Sequence, residues 1–139
     1  MSILERAISI AARAHAGYLA DNGEPYILHP LRVMLSLQEE DERVVAVLHD
    51  VIEKTGWSQD DLRTENFPDH IISAINSVSR RQGEDYFDFV QRTRENELGR
   101  RVKIADLKDN IANARTSAED PKSADKLARY EEALHRLKQ

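Results

Sequence analysis

Apolar residues recur along this chain at intervals of three and four, the spacing that places them on one face of an α-helix. The first such stretch covers residues 3–20, and a turn-forming run at residues 21–25 follows it. The pattern predicts eight helices: residues 3–20, a helix introduced by His29-Pro30 that runs through Leu37, Glu40 to Thr55, a short helix that begins at Ser58, Ile71 to Val78, Tyr86 to Val90, about 100–115, and about Ser123 to Leu137.

The breaks between these helices carry residues that interrupt helical structure. Gly83 and Gly99 flank the sixth predicted helix, and Ser58 and Asp61 have the spacing of a capping box at the start of the fourth. No window alternates apolar and polar residues for long enough to predict a strand. We therefore expect an all-α fold, a compact helical bundle, with residues 1–139 forming one domain because no repeat or linker divides them.

Composition narrows the class of protein. The chain has 139 residues, of which 40% are hydrophobic and 32% charged, as expected of a folded, soluble domain with one core. No apolar run approaches the roughly 18 to 20 residues that cross a bilayer, and the first residues lack a signal-peptide pattern. Because there is no cysteine, disulfides and thiolate zinc sites are excluded. We expect a cytoplasmic protein that does not bind membranes.

The formal net charge is −5, and no basic stripe is visible, so the sequence does not predict binding to a nucleic acid polymer. Two basic doublets, Arg80-Arg81 and Arg100-Arg101, stand apart from each other. They are either solvated helix ends or local contacts to a phosphorylated small molecule, and both interpretations stay open at this point.

Several polar residues that can bind metal lie in apolar surroundings. His49 and Asp50 interrupt the run Val-Leu-His-Asp-Val-Ile, Asp106 lies in a second apolar helix, and His29 stands at the start of the second helix. A buried carboxylate without a partner is costly, so these groups need partners. Two imidazoles and two carboxylates suit Mn²⁺, Fe²⁺, Zn²⁺ or a similar divalent ion. The alternative is a buried network of hydrogen-bonded polar groups.

Asp106, Asn110 and Asn113 are spaced at i, i+4 and i+7, so they share one face of the seventh predicted helix. A line of polar residues along an otherwise apolar helix indicates a lined cavity.

Four motifs carry a resemblance to a known family. They are Ala14-His15-x-Gly17, then Gly23-Glu24-Pro25-Tyr26-Ile27-x-His29-Pro30, then Leu48-His49-Asp50-Val51-Ile52-Glu53-x-Thr55, and then Val102-Lys103-Ile104-Ala105-Asp106. In this order and spacing they resemble the hydrolase domain of the RelA/SpoT family of the HD superfamily. These enzymes of the stringent response use manganese to remove the 3′-pyrophosphate from guanosine tetra- and pentaphosphate. The resemblance covers residues 14 to about 115 and implies an HD-type fold, similar to the small stand-alone hydrolases.

The resemblance also implies roles for individual residues. The metal ligands of the family fall on His29, His49, Asp50 and Asp106. Glu53, one turn beyond His49, is then expected to orient water or carry its proton, so that Glu53 and Asp50 form the catalytic pair.

The residues expected to contact the substrate are Lys54, Asn110 and Asn113. Asn110 matches the asparagine that lies beside the bound nucleotide in the family. Lys54 stands where the family has a second acidic residue, so it either holds a substrate phosphate or points into solvent.

A second departure concerns Ala20 and Asp21, which stand where the family has an Arg-Lys pair that contacts the nucleotide. Three interpretations follow: an alarmone hydrolase, an HD-type hydrolase of another phosphorylated nucleotide or cofactor, or a non-catalytic module that binds metal and nucleotide. His15 is an alternative imidazole ligand, although its place in the matching motif favours a structural role.

Overall fold

The computed structural model describes residues 1–116 and 121–139, and the regular secondary structure within them is helical, as predicted. The helices are α1 (Ile3–Ala14), α2 (Leu28–Leu35), α3 (Glu40–Leu48), α4 (Val51–Lys54), α5 (Gln59–Thr64), α6 (Asp69–Ser77), α7 (Tyr86–Arg94), α8 (Glu97–Thr116) and α9 (Pro121–Lys138). In these ranges, none of the helices combines the length and the apolar character that a membrane span requires.

Helix α3 lies at the centre of the main core, where residues 44–48 are fully buried. It packs against α1, α2, α6 and α8. A second apolar cluster, formed by Val90, Leu107, Ala133 and Leu137, joins α7, α8 and α9. Because α8 contacts both clusters, polar residues on α8 can face polar residues at the end of α3.

The first helix ends earlier than the apolar pattern indicates, at Ala14 rather than at residue 20. Gly17 adopts a φ of +83°, a conformation that favours glycine, and the chain then folds back on itself. In this loop the N–H of Ala20 donates to the carbonyl of Glu24 at 2.8 Å. Loop hydrogen bonds of this kind pair backbone groups that a longer helix would have paired internally.

The predicted third helix, Glu40 to Thr55, is divided at His49 and Asp50, so the prediction of one continuous helix is wrong. The backbone N–H of His49 and its ring Nδ1 both lie close to the carbonyl oxygen of Ala46, at 3.4 and 2.5 Å. The ring therefore occupies the acceptor that the N–H of Asp50 would use in a continuous helix. The chain turns at this point before α4 begins.

Gly99 does not mark a break, as the sequence predicted, but lies in the first turn of α8. A Cβ at this position would lie 1.9 Å from Oγ of Ser77, so the glycine permits the close approach of α6 and α8. The predicted start at Ser58 is confirmed, because its hydroxyl accepts from the N–H of Asp61 at 3.1 Å and the carboxylate of Asp61 accepts from the N–H of Ser58 at 2.8 Å.

Candidate metal centre

Two imidazoles and one carboxylate from separate segments meet in the interior. His29 lies in α2, His49 in the turn after α3, and Asp106 in α8. Nε2 of His29 lies 2.8 Å from Oδ1 of Asp106, and Nε2 of His49 lies 3.1 Å from the same oxygen. All three residues are buried, with His49 only 1% exposed. The fold therefore joins residues that are widely separated along the chain.

Asp50 completes this group. Its Oδ2 lies 3.1 Å from Nε2 of His49 and 4.0 Å from Nε2 of His29, and it accepts a short hydrogen bond from the hydroxyl of Tyr26. Donor atoms of the two histidines and Asp50 lie within 4.8 Å of one another. Two ligands that are each about 2.1 Å from one ion lie at most about 4.2 Å apart, so small side-chain rotations would let these residues hold a divalent ion.

The outer nitrogens of both imidazoles have acceptors. Nδ1 of His49 lies 2.5 Å from the carbonyl oxygen of Ala46, and Nδ1 of His29 lies 2.6 Å from Oδ2 of Asp109. A carbonyl oxygen only accepts, so Nδ1 of His49 carries the proton of that bond. In each ring Nε2 is the atom that faces the two ligand carboxylates. This arrangement is the usual one for histidines that bind metal through Nε2.

The four candidate ligands perturb one another's pKa values. Burial alone would raise the pKa of Asp106, but the Lys103 ammonium and the His49 imidazole hold it well below its usual range. Burial likewise opposes ionisation of Asp50, and His49 lowers its pKa. Burial lowers the pKa of His49, yet Asp50 and Asp106 together raise it well above 6.5. Both carboxylates are therefore anionic at neutral pH, the form that binds cations.

Three of the candidate ligands, His29, Asp50 and Asp106, line a cleft of about 1060 Å³, and the buried His49 contacts the two aspartates. The described lining of the cleft includes seven basic side chains and four carboxylates, although the whole chain has a net charge of −5. The basic residues are Arg32, Lys54, Arg80, Lys103, Lys122, Lys126 and Arg129. A cleft in which positive charge predominates favours an anionic ligand. Of the two basic doublets, only Arg80 lies in this lining.

Glu53 and Lys54 lie in the cleft, at the end of α4. Oε1 of Glu53 accepts a hydrogen bond from the backbone N–H of Arg80 at 2.7 Å, and its Oε2 lies 3.9 Å from Nζ of Lys54. The Lys54 ammonium lies 5.6 Å from the centre of the Tyr26 ring, and Tyr26 contacts Asp50. This position favours the interpretation in which Lys54 faces a ligand.

Asn110 and Asn113 line the same cleft as Asp106, so the predicted shared face of α8 is confirmed. Nδ2 of Asn110 lies 3.4 Å from Oδ1 of Asp106. Nδ2 of Asn113 donates to Oδ2 of Asp109 at 3.3 Å.

Sequence reasoning missed three residues at the site: Lys103, Asp109 and Tyr26. Nζ of Lys103 donates to Oδ2 of Asp106 at 2.8 Å in the interior. Lys103 and Asp109 each lie three residues from Asp106, so helical spacing could have identified both. Tyr26 lies in the second family motif, but its contact with Asp50 depends on the folded loop.

His15 is buried, and among the described residues neither of its ring nitrogens has a hydrogen-bond partner. Burial lowers its pKa, and its ring lies 5.1 Å from that of Tyr26. Its ring contacts Tyr26 and neither nitrogen contacts a candidate ligand, so its position favours packing behind Tyr26.

The fold and the site define a helical domain with a buried group of two histidines and two aspartates. A model of the HD domain family matches residues 7–134, and the chain belongs to this family. The predicted resemblance and the all-α HD-type fold are thereby confirmed.

Proteins with similar sequences include enzymes of guanosine tetraphosphate metabolism by name. The chain is similar to a guanosine-3′,5′-bis(diphosphate) 3′-pyrophosphohydrolase of Aquifex aeolicus, with 28% identity over 78% of this chain and 17% of the relative. A second protein of that name, from Borreliella burgdorferi, is 34% identical over 54% of this chain and 12% of its own length. A GTP pyrophosphokinase of Streptomyces coelicolor is 28% identical over 96% of this chain and 18% of its length. The chain thus spans less than a fifth of these relatives.

A solved structure shows the same fold. It is described as a metazoan ortholog of SpoT that hydrolyses ppGpp and plays a role in starvation responses. The TM-score is 0.79 with 18% sequence identity, and the match covers 99% of this chain and 85% of the other.

Proposed function

We propose that this protein is a metal-dependent phosphohydrolase of a phosphorylated nucleotide, with a guanosine 3′,5′-bis(diphosphate) 3′-pyrophosphohydrolase-like reaction as the first candidate. One observation carries the proposal: His29, His49, Asp50 and Asp106 converge at the wall of a large cleft that is rich in basic side chains. A cation site for the reacting phosphate and positive charge for the remaining phosphates are then adjacent. A cytoplasmic location, expected from the sequence, agrees with a nucleotide substrate.

Two imidazole nitrogens and the carboxylates of Asp50 and Asp106 would hold the ion. Mn²⁺ is the first choice because the resembled family uses it, and Fe²⁺ and Zn²⁺ suit the same donor set. A bound divalent ion supplies Lewis acidity, which activates water and offsets negative charge on a phosphoryl oxygen. Tyr26, Lys103 and the outer hydrogen bonds of the histidines fix the orientation of the ligands.

Glu53 is the residue that would accept the proton of the attacking water. The N–H of Arg80 and the Lys54 ammonium orient its carboxylate at the wall of the cleft. The water oxygen forms a bond to the phosphorus carried by the 3′ oxygen of the nucleotide, and the bond between that phosphorus and the 3′ oxygen breaks. Pyrophosphate leaves, and the 3′ oxygen takes a proton to become a hydroxyl.

Basic residues from three parts of the chain would bind the remaining phosphates. Arg80 precedes α7 and Arg129 lies in α9, and their guanidinium carbons lie 5.5 and 4.7 Å from the centre of the same Tyr86 ring. Lys54 contributes from α4. Arginine suits phosphate because its planar donor set binds two oxygens at once.

A second candidate keeps the chemistry and changes the substrate to another phosphorylated nucleotide or cofactor. Asp21 favours it, because this carboxylate stands where the resembled family has a basic residue. Oδ2 of Asp21 lies 3.6 Å from Nζ of Lys126, so it places negative charge on the cleft wall next to one of the available cations. A substrate with fewer phosphates on this side would fit this wall better.

The test is release of phosphate or pyrophosphate from a panel of nucleotides that includes guanosine tetraphosphate, with Mn²⁺ or with a chelator. The matched variants are His49→Ala, which removes a candidate ligand, and His70→Ala, which removes an exposed histidine on α6. We expect turnover that requires the metal, is lost in His49→Ala and persists in His70→Ala.

The pattern of substrates separates the two candidates. Release of pyrophosphate from the guanosine tetraphosphate supports the first, and metal-dependent turnover of a different compound supports the second. No turnover of any nucleotide by a protein that binds Mn²⁺ would contradict both and would favour the non-catalytic interpretation.

A further inference from the structure

A chain of hydrogen bonds leads outward from the candidate metal centre along α2 and α8. Nδ1 of His29 lies 2.6 Å from Oδ2 of Asp109. The same carboxylate accepts two hydrogen bonds from Arg32, with Nε 3.0 Å from Oδ1 and Nη2 3.1 Å from Oδ2. His29 and Arg32 are separated by three residues on α2, so both present their side chains to Asp109 on α8.

The Asp109 carboxylate is therefore held before any ligand binds. Hydrogen bonds from His29 and from two nitrogens of Arg32 fix both of its oxygens. Its side chain is 17% exposed, and that of His29 only 8%. A fixed acceptor at Nδ1 places the ring proton there and turns the lone pair of Nε2 towards the other candidate ligands.

We propose that Asp109, held in place by Arg32, is a positioning residue for the metal centre: it fixes the tautomer and the orientation of His29 so that Nε2 binds the ion. The inference rests on the proposed metal-binding function. A carboxylate behind a metal-binding imidazole raises the basicity of the ligand and restricts its rotation, and the loss of such a partner weakens metal binding by about 10- to 100-fold. The other histidine uses a backbone carbonyl in this place, which no side-chain substitution removes.

The competing explanation is a purely structural ion pair that joins α2 to α8. An ion pair of this kind would stabilise the folded protein and leave the affinity for metal unchanged. In that case Asp109 and Arg32 variants should be equally destabilised. If Asp109 positions His29, the affinity for metal should fall more in the Asp109 variants than in the Arg32 variant, because Asp109 contacts the imidazole directly.

The experiment measures the dissociation constant of Mn²⁺ by calorimetry at one pH for the full chain and for three variants. Asp109→Ala removes the acceptor, and we expect binding about 10- to 100-fold weaker. Asp109→Asn keeps a neutral acceptor, and because neutral hydrogen bonds are about half as strong, we expect a loss of about 3- to 10-fold. Arg32→Gln leaves the carboxylate on His29 and should weaken binding by less than about threefold.

A second readout observes the tautomer directly. In the Zn²⁺-loaded protein, with ¹⁵N-labelled histidine, the NMR spectrum should show His29 with its proton on Nδ1. Asp109→Ala should lose that signal, because the Nδ1 proton without its acceptor exchanges rapidly with water, while His49 keeps its own signal. Thermal unfolding of the metal-free proteins shows whether each variant is folded, and Asp109→Asn carries the test if the alanine variant is not.

Unchanged Mn²⁺ affinity and an unchanged Nδ1 proton signal of His29 in a folded Asp109 variant would overturn the inference. Equal losses of affinity in the Asp109→Ala and Arg32→Gln variants, matched by equal losses of stability, would assign the effect to the ion pair between α2 and α8 and would also overturn the inference. If the unaltered protein binds no metal, the proposed function fails and this inference fails with it. If the variants weaken metal binding but the unaltered protein hydrolyses no nucleotide, the positioning role stands and the proposed reaction does not.

Discussion

Replacement of Lys103 by methionine tests the electrostatics of the buried site. Nζ of Lys103 lies 2.8 Å from Oδ2 of Asp106, and the residue is only 9% exposed. The substitution keeps an unbranched side chain in the same space but removes the ammonium. Asp106 then remains ionised in the interior with one partner fewer.

The expected change in the free energy of unfolding follows from the cost of removing one partner of a buried ion pair, about 3 to 5 kcal/mol. The lower end applies, because Asp106 keeps its hydrogen bonds to His29 and His49. Methionine also removes the desolvation cost of the ammonium. We therefore expect the free energy of unfolding to fall by about 3 kcal/mol, which for a domain of this size lowers Tm by about 9 to 12 °C.

The assay is thermal unfolding of the metal-free protein, followed by circular dichroism in the presence of a chelator. Lys108→Met is the matched control, because Lys108 is exposed on the same helix and its replacement should change stability by less than about 0.5 kcal/mol. If Lys103→Met unfolds at the same temperature as this control, the buried ion pair does not contribute as argued.

The remaining predictions concern the reaction, specificity, pH and packing. Glu53→Gln should lower turnover by about 10²- to 10⁴-fold, because an amide cannot accept the proton, while metal content and Tm stay unchanged. Ala20→Arg combined with Asp21→Lys should tighten the binding of guanosine tetraphosphate by at least about 10- to 100-fold, the effect of one charge-assisted hydrogen bond of about 1.5 to 3 kcal/mol. The raised pKa of His49 stabilises the metal-free protein below its unfolded value, about 6.5, and this stability is lost as the pH rises through the folded pKa. The metal-free protein should therefore have a lower Tm at pH 9 than at pH 6. Gly99→Ala should cost about 1 to 3 kcal/mol, because its Cβ would lie 1.9 Å from a serine oxygen of α6.

Each of these has an outcome that would contradict it. Unchanged turnover would make Glu53 a surface carboxylate, and unchanged nucleotide affinity in the double variant would show that α9 and α4 already supply the phosphate contacts. A Tm that rises between pH 6 and pH 9 would reverse the sign of the His49 contribution. An unaltered Tm in Gly99→Ala would mean that α6 and α8 move apart to admit the new methyl group without loss of stability.

The sequence predicted the helical class and most helix positions because apolar spacing and capping residues act locally. The capping box at Ser58 is such a case, since its two hydrogen bonds join residues three positions apart. The break at His49 depends instead on a ring nitrogen that contacts the Ala46 carbonyl, and apolar periodicity carries no information about that contact. The early end of α1 similarly follows from hydrogen bonds within the next loop.

Within the site, the four candidate ligands were identified from residue type and family resemblance before the fold placed them together. Lys103 and Asp109 were accessible to the same reasoning, because each lies one turn from Asp106 on α8. The position of Arg129 in the cleft could not be predicted in this way, because it depends on how α9 packs against α7 and α8. Contacts between distant segments therefore set the limit of what sequence predicts here.

The central claim is that His29, His49, Asp50 and Asp106 hold a divalent ion. The most direct measurement is anomalous scattering from a crystal of the full chain grown with Mn²⁺. The account predicts one strong peak within about 2.5 Å of Nε2 of both histidines and of an oxygen of each aspartate. No peak at this point, or a peak that lies only elsewhere in the cleft, would contradict the account.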